Sequence, residues 1–130
     1  MSDTLRLLDT SIVVCHFRGV GQTSERLQKF AGLFLPNIAL GELYAGAYRS
    51  ARQQKNLQQI EEFKAGVTVL VPDDETARNY GRISAQLAAQ GTPIPQNDAW
   101  IAAYALQWGL TLATADHHFS HVPGLEVELW

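Results

Sequence analysis

Short apolar runs alternate with longer amphipathic stretches along this chain. Residues 5–8 read as a short buried strand that ends at Asp9. Residues 12–17 suit a short helix or turn. Thr23 or Ser24 is placed to cap a helix running to Ala31, with Gly32 as its stop. Residues 33–35 are ambiguous. Residues 38–50 and 53–65 have helical composition, and Gly66 ends the second stretch. The β-branched run 67–71 predicts a strand ended by Pro72. Asp73 or Asp74 then caps a helix with Tyr80, Ile83, Ser84 and Leu87 on its inner side and Gly91 at its end. Residues 92–96 carry two prolines and form a loop. Asn97 caps a helix to Trp108, in which Ile101, Tyr104, Ala105 and Trp108 recur at i, i+3, i+4 and i+7, and Gly109 closes it. Residues 110–113 predict a strand, Pro123-Gly124 a turn, and 125–129 a last strand.

Strands that alternate with helices and are apolar throughout point to an α/β fold with a mainly parallel sheet covered on both faces. The chain shows no internal repeat, low-complexity segment or linker. Its 130 residues are expected to form one domain over 1–130.

Charge narrows the functional classes. Ten Lys and Arg against 13 Asp and Glu give a net charge of −3, so bulk electrostatics will not hold a nucleic acid. An anionic substrate would need a local basic patch or metal ions. No apolar run approaches the ~18 residues of a membrane span. Met1-Ser2-Asp3-Thr4 has neither the basic start nor the long apolar stretch of a secretory signal. The single cysteine, Cys15, excludes an internal disulfide framework and a cysteine-based zinc cluster. A reducing cytoplasm fits these features.

Open parallel sheets place their sites beyond the carboxyl ends of the strands. Asp9 lies directly after the first strand and Asp116 shortly after the 110–113 strand; helix capping or turn formation is the plainer alternative for each. Asp98 sits in a first helical turn, three residues before Ile101, on the face that points inward; interaction with the helix dipole would also account for it. Glu42 shares a helix face with Ala45, Gly46 and Arg49, small neighbours that leave room for an approaching group; an ordinary exposed glutamate is the alternative. Together the four suggest a carboxylate cluster with no evident basic partner. Such a cluster cannot stay fully charged at neutral pH without a cation. An all-oxygen set suits Mg²⁺ or Mn²⁺ rather than Zn²⁺ and points to phosphodiester hydrolysis. Neutralising one acid, for instance Asp9→Asn, is expected to relieve the repulsion.

Leu8-Asp9-Thr10-Ser11-Ile12 resembles the opening motif of the PIN-domain family, Glu42-Leu43-Tyr44-Ala45-Gly46 its second, Asn97-Asp98-Ala99-Trp100-Ile101-Ala102-Ala103 its third, and Thr114-Ala115-Asp116-His117-His118-Phe119 its fourth. Val122-Pro123-Gly124-Leu125-Glu126-Val127 completes the pattern. Within that family the chain looks most like the VapC-type toxins of bacterial type II toxin–antitoxin pairs. The resemblance implies a three-layer α/β/α architecture and a Mg²⁺- or Mn²⁺-dependent endoribonuclease whose acidic metal-site residues are Asp9, Glu42, Asp98 and Asp116. It implies that Thr114 supports the site by hydrogen bonding, that cleavage leaves 5′-phosphate and 3′-hydroxyl ends, that the chain forms a homodimer, and that a cognate antitoxin covers the cleft. Ser11 stands where the family usually has Asn to orient the first aspartate; a serine still supplies a donor.

Other features weigh less. Arg49, Arg52 and Lys55 form a basic stretch that suits either a solvated helix face or phosphate contact. His118 resembles a common family variant and would face RNA or the turn. His117 and His121 have the spacing of a zinc pair without the accompanying glutamate. Cys15-His16 are adjacent and would diverge on a helix, which suggests a buried structural cysteine. Asp73-Asp74 after a strand suggests a phosphoacceptor, but nearly sixty residues of mostly helical pattern before the 67–71 strand argue against a receiver fold. Trp100, Tyr104 and Trp108 suit the core or a dimer interface. The rival functions are an RNA-processing or DNA-cleaving nuclease on the same fold and a catalytically silent antitoxin-binding module. Four intact acids argue against silence, because a silent domain would gain stability by losing buried charge.

Overall fold

The structure, a computed structural model, describes residues 4–130, so the reading of Met1 to Asp3 lies outside it. Five strands form one sheet: β1 (Leu5–Leu8), β2 (Gly32–Pro36), β3 (Thr68–Leu70), β4 (Leu112–Thr114) and β5 (Val127–Leu129). Their order across the sheet is β3-β2-β1-β4-β5, and every pairing is parallel. The helices are α1 (Thr10–Arg18), α2 (Thr23–Leu27), α3 (Asn37–Tyr48), α4 (Gln53–Lys64), α5 (Asp74–Gln90) and α6 (Gln96–Trp108), with a 3₁₀ turn over His117–His121. The chain steps outward from β1 to β2 to β3, then crosses back past β1 to β4. With right-handed crossovers, that reversal moves the helices to the opposite face, giving the three-layer α/β/α arrangement. It also opens a crevice between the carboxyl ends of β1 and β4. Registers of Leu7 with Leu112 and Leu8 with Ala113 fix the crevice walls.

The core is continuous from α1 through the sheet to α6. Leu7, Leu8, Leu35, Leu112 and Ala113 are wholly buried in the strands, and Ile12 and Val13 cover them from α1. Helix α6 is buried nearly all round: Ala99, Ile101, Ala102, Ala103, Tyr104 and Ala105 all lose their solvent. An apolar helix without a polar stripe is what a position between layers requires. Trp108, expected inward, is partly exposed and stacks on Tyr104, while Trp100 stacks on Tyr80 of α5.

The ambiguous segment 33–35 is a strand that occupies an interior position of the sheet. Gly32 opens it rather than stopping a helix, because a Cβ there would meet the Leu5 side chain at 2.7 Å. Helix α2 accordingly ends at Leu27 and not at Ala31, and neither Thr23 nor Ser24 caps it; the Ser24 hydroxyl is paired with His16 Nδ1 at 2.8 Å. Because β2 intervenes, the stretch before β3 is not all helical and does not by itself exclude a receiver fold. The strand order does, since the receiver-type sheet runs 2-1-3-4-5. Asp73 is the cap expected of it, in a reciprocal capping box with Thr76, and Gln107 of α6 also donates to it at 2.8 Å. No helix among the described residues is long and apolar enough to cross a membrane.

Phe119, wholly buried, roots the 3₁₀ turn in the core. Phe119→Ala should cost about 3–5 kcal/mol of folding free energy, and Phe119→Leu clearly less. Urea unfolding of the three proteins measures the difference. A loss under about 1 kcal/mol for the alanine variant would mean that the turn is not anchored this way.

Candidate active site

Asp9 is the last residue before α1 and caps it, with extended backbone (φ −73°, ψ 155°). One carboxylate oxygen accepts the Thr10 N–H at 2.8 Å. The other accepts the Ser11 hydroxyl at 2.8 Å and the Thr114 hydroxyl at 2.7 Å. Each hydroxyl in turn accepts a backbone N–H from the loop after β4: Ser11 from Ala115 at 3.1 Å and Thr114 from Asp116 at 3.0 Å. Those N–H groups can only donate, so the hydroxyl protons are left to point at Asp9. Burial nevertheless dominates and holds the Asp9 pKa above the ordinary carboxylate range, with the Glu42 charge adding to it and the three hydrogen bonds pulling the other way. The serine at position 11 thus provides the donor toward Asp9 and ties α1 to the β4 loop as well.

Glu42, half-buried on α3, accepts the Thr10 hydroxyl at 2.5 Å and the Asn97 side-chain amide at 3.1 Å. Asn97 does not cap α6, which starts one residue earlier after Pro95; its amide is spent on Glu42 instead. Asp98 follows it in the first turn of α6, with its side chain only 16% exposed. No side-chain hydrogen bond reaches the Asp98 carboxylate among the described residues; the imidazole of His118 lies beside it, with Nδ1 at 3.7 Å. Burial first, then the charges of Asp9, Asp116 and Glu42, push its pKa up to about 6, with His118 offsetting part of the effect. Asp116 caps the 3₁₀ turn by accepting the His118 N–H at 2.9 Å, and His118 Nδ1 lies 3.1 Å from the same carboxylate.

The capping alternative for Asp9 and Asp116 is therefore true without excluding a site. All four acids come from separate segments to one crevice and feel one another's charge at Asp98. They are not equivalent. Asp98, Asp116 and His118 each offer a donor atom within 4.8 Å of the others, whereas Asp9 and Glu42 fall outside that grouping. The hydrogen bonds also reverse one expectation. An amide at Asp9 would turn an NH₂ group toward donors, so Asp9→Asn would lose contacts as well as charge. Asp98, which has no donor to lose, is the acid whose neutralisation relieves the repulsion.

The basic stretch does not join the acids. Arg49 ends α3 and Arg52 precedes α4; both are exposed, and neither lines the groove of about 290 Å³ beside Glu42. That groove is lined by Thr10, Val14, Phe17 and Arg18 of α1, by Glu42 and Gly46 of α3, and by α4. Gly46 provides the open wall expected of small residues beside Glu42. Arg18, Thr10 and Asn97 are polar residues of this region for which no site role was expected from the sequence. Thr10 and Asn97 each adjoin an acid and lie within the first and third motifs, which was the available signal. His117 and His121 do not pair for zinc, because on a 3₁₀ turn residues four apart lie about 120° apart around the axis. His16 bonds Ser24 and packs on Phe63, and Cys15 is a free, half-buried thiol.

The raised Asp98 pKa fixes a sign. The folded state holds this proton more tightly than the unfolded chain, so the metal-free protein loses stability as pH rises from about 3.8 to about 6. The loss is up to about 3 kcal/mol. Subtracting the urea-stability profile of Asp98→Asn from that of the wild type in EDTA isolates it. The wild type should fall relative to the variant across that window; parallel profiles would show that the charges do not meet.

A PIN domain family model matches residues 6–125. Ribonuclease VapC2 of Haemophilus influenzae is 35% identical over 127 residues, covering 95% of this chain and 96% of that protein. A tRNA(fMet)-specific endonuclease VapC of Salmonella typhimurium is 36% identical over 97 residues, 74% of each chain. Among solved structures, DNA-bound VapBC from Salmonella typhimurium superposes with a TM-score of 0.89 at 31% identity, covering 96% of this chain and 97% of that one. VapBC2 from Rickettsia felis, bound to a promoter DNA fragment, shares the fold with a TM-score of 0.92 at 24% identity, covering 97% and 98%. With its acids at the β1–β4 crevice and these relatives along nearly its whole length, the chain belongs to the PIN-domain family, within the group of VapC ribonucleases.

Proposed function

We propose that this protein is a Mg²⁺- or Mn²⁺-dependent endoribonuclease and the toxin of a toxin–antitoxin pair. The observation that carries this reading is the Asp98 carboxylate, largely buried among three other acids and without a hydrogen-bond donor among the described residues, at the switch point of the sheet. Carboxylates so placed need a cation, and their oxygen donors fit a hard divalent ion. Asp98 and Asp116 would hold it, with Asp9 and Glu42 completing the acidic surround. A bound ion of this kind polarises phosphoryl oxygens and acidifies water.

The remaining steps fall to the chain itself. Thr114 and Ser11 fix the direction of Asp9, and Thr10 and Asn97 fix Glu42 between α1 and α6, so the acids present one orientation to substrate. No side-chain nucleophile is required, and the Ser11, Thr114 and Thr10 hydroxyls are committed to Asp9 and Glu42. Arg18, at the wall of the groove beside Glu42, is placed to meet a backbone phosphate. Water attacks phosphorus in line, leaving 5′-phosphate and 3′-hydroxyl ends. The 130 residues act as one nuclease domain in the cytoplasm, as a homodimer, and a cognate antitoxin covers the crevice. The solved VapBC structures that this fold matches support that pairing.

Purified protein should cleave single-stranded RNA with Mg²⁺ or Mn²⁺, and not with EDTA. Asp98→Asn should remove both cleavage and the growth arrest that follows expression without an antitoxin. Equal activity at equal accumulation would overturn the nuclease reading, and cleavage of DNA alone would replace RNA as the substrate.

RNA affinity measured against salt gives a second check. Arg18→Ala should flatten the log–log slope by about 0.7, one released counterion on a single strand. Arg49→Ala should leave it nearly unchanged; the opposite pattern would move the RNA path to the end of α3.

A further inference from the structure

We propose that the His118 imidazole is itself a ligand of the metal, through Nδ1, so that the centre combines nitrogen with carboxylate oxygen and favours Mn²⁺ over Mg²⁺. This rests on reading the crevice as a divalent-cation site and assigns it a donor beyond the four acids. His118 Nδ1, one oxygen of Asp98 and one of Asp116 lie within 4.8 Å of one another. Opposite donors around one small cation at ~2.0–2.3 Å are separated by about 4–4.6 Å, so these three atoms need only a small adjustment to share an ion.

The imidazole is held for such a task. Its backbone N–H is bound to Asp116 at 2.9 Å, and the adjoining Phe119 is wholly buried, so the residue is fixed at both sides. Its ring is 54% exposed, and its only polar partners among the described residues are the two acids. Among the described residues the Asp98 oxygens accept no competing hydrogen bond. A histidine that served only as a phosphate contact would gain nothing from turning Nδ1 inward to two carboxylates.

The donor type has a consequence. Mg²⁺ binds oxygen and dehydrates reluctantly, whereas first-row transition ions also accept imidazole, Mn²⁺ less avidly than the later ones. A site of two carboxylates and one imidazole therefore discriminates between cations that an all-oxygen site would hold more evenly. The alternative is that His118 acts as a charged counter-ion to Asp116 and competes with any metal.

Titration calorimetry of Mn²⁺ and Mg²⁺ into the full chain, with electron spin-echo spectra of the Mn²⁺ form, separates these. The wild type should bind Mn²⁺ at least about tenfold tighter than Mg²⁺ and show ¹⁴N modulation from a coordinated imidazole. His118→Ala should lose the modulation and about tenfold in Mn²⁺ affinity, while Mg²⁺ affinity changes by less than about threefold. His118→Asp should regain affinity without modulation and shift the preference toward Mg²⁺. Absence of modulation in the wild type, its persistence in His118→Ala, or tighter binding of both cations by His118→Ala would overturn the ligand role. If the wild type binds neither cation, the divalent-cation reading of the crevice falls with it.

Discussion

Mutual repulsion of Asp9, Glu42, Asp98 and Asp116 in the crevice between β1 and β4 is the constraint around which the rest of the structure is arranged. Carboxylates avoid one another and avoid burial, so a chain that gathers four of them must hold each from behind. Thr114, Ser11 and the Thr10 N–H do this for Asp9, and Thr10 with Asn97 does it for Glu42. The Ser11 and Thr114 hydroxyls are themselves oriented by N–H groups of the β4 loop. One small network therefore joins β1, α1, β4 and the turn after it, and through Glu42 it reaches α3 and α6.

Asp98 is the exception, and its isolation is what gives the crevice its chemistry. It has burial and three like charges against it and, among the described residues, the His118 imidazole at 3.7 Å in its favour. The scaffold can impose this because α6 is buried nearly all round and its Tyr104 hydrogen-bonds the Ile38 backbone, which fixes the helix against α3. An unpaired carboxylate on a mobile segment would turn to water. On α6 it stays, where a bound cation would relieve it.

Much of this was legible in the chain. The strand at 5–8, the Asp73 cap and the Gly91 and Gly109 helix ends come from local patterns that tertiary structure did not override. Asp9 and Asp116 could be picked out because each stands just beyond a strand, Asp98 because it faces inward in a first helical turn, and Glu42 because small residues share its helix face. Strand β2 was not legible: three apolar residues between a glycine and a proline carry no periodicity, and its place inside the sheet comes only from pairing with β1 and β3. The partners of the acids were hidden for the same reason. Thr10 meets Glu42 across 32 residues and Asn97 meets it across 55, and no local signal distinguishes such a residue from a cap. Arg49 lies exposed at the end of α3, seven residues or about 10 Å along the helix from Glu42, and does not line the groove beside that acid.

The most direct measurement is the Asp98 carboxyl titration followed by ¹³C NMR, in EDTA and with saturating Mg²⁺. The expected midpoint without metal is about 6, and with Mg²⁺ it should fall below the ordinary value of 3.8. A midpoint that already lies in the ordinary carboxylate range in EDTA, and does not move with Mg²⁺, would contradict a crevice built on carboxylates that only a cation can relieve.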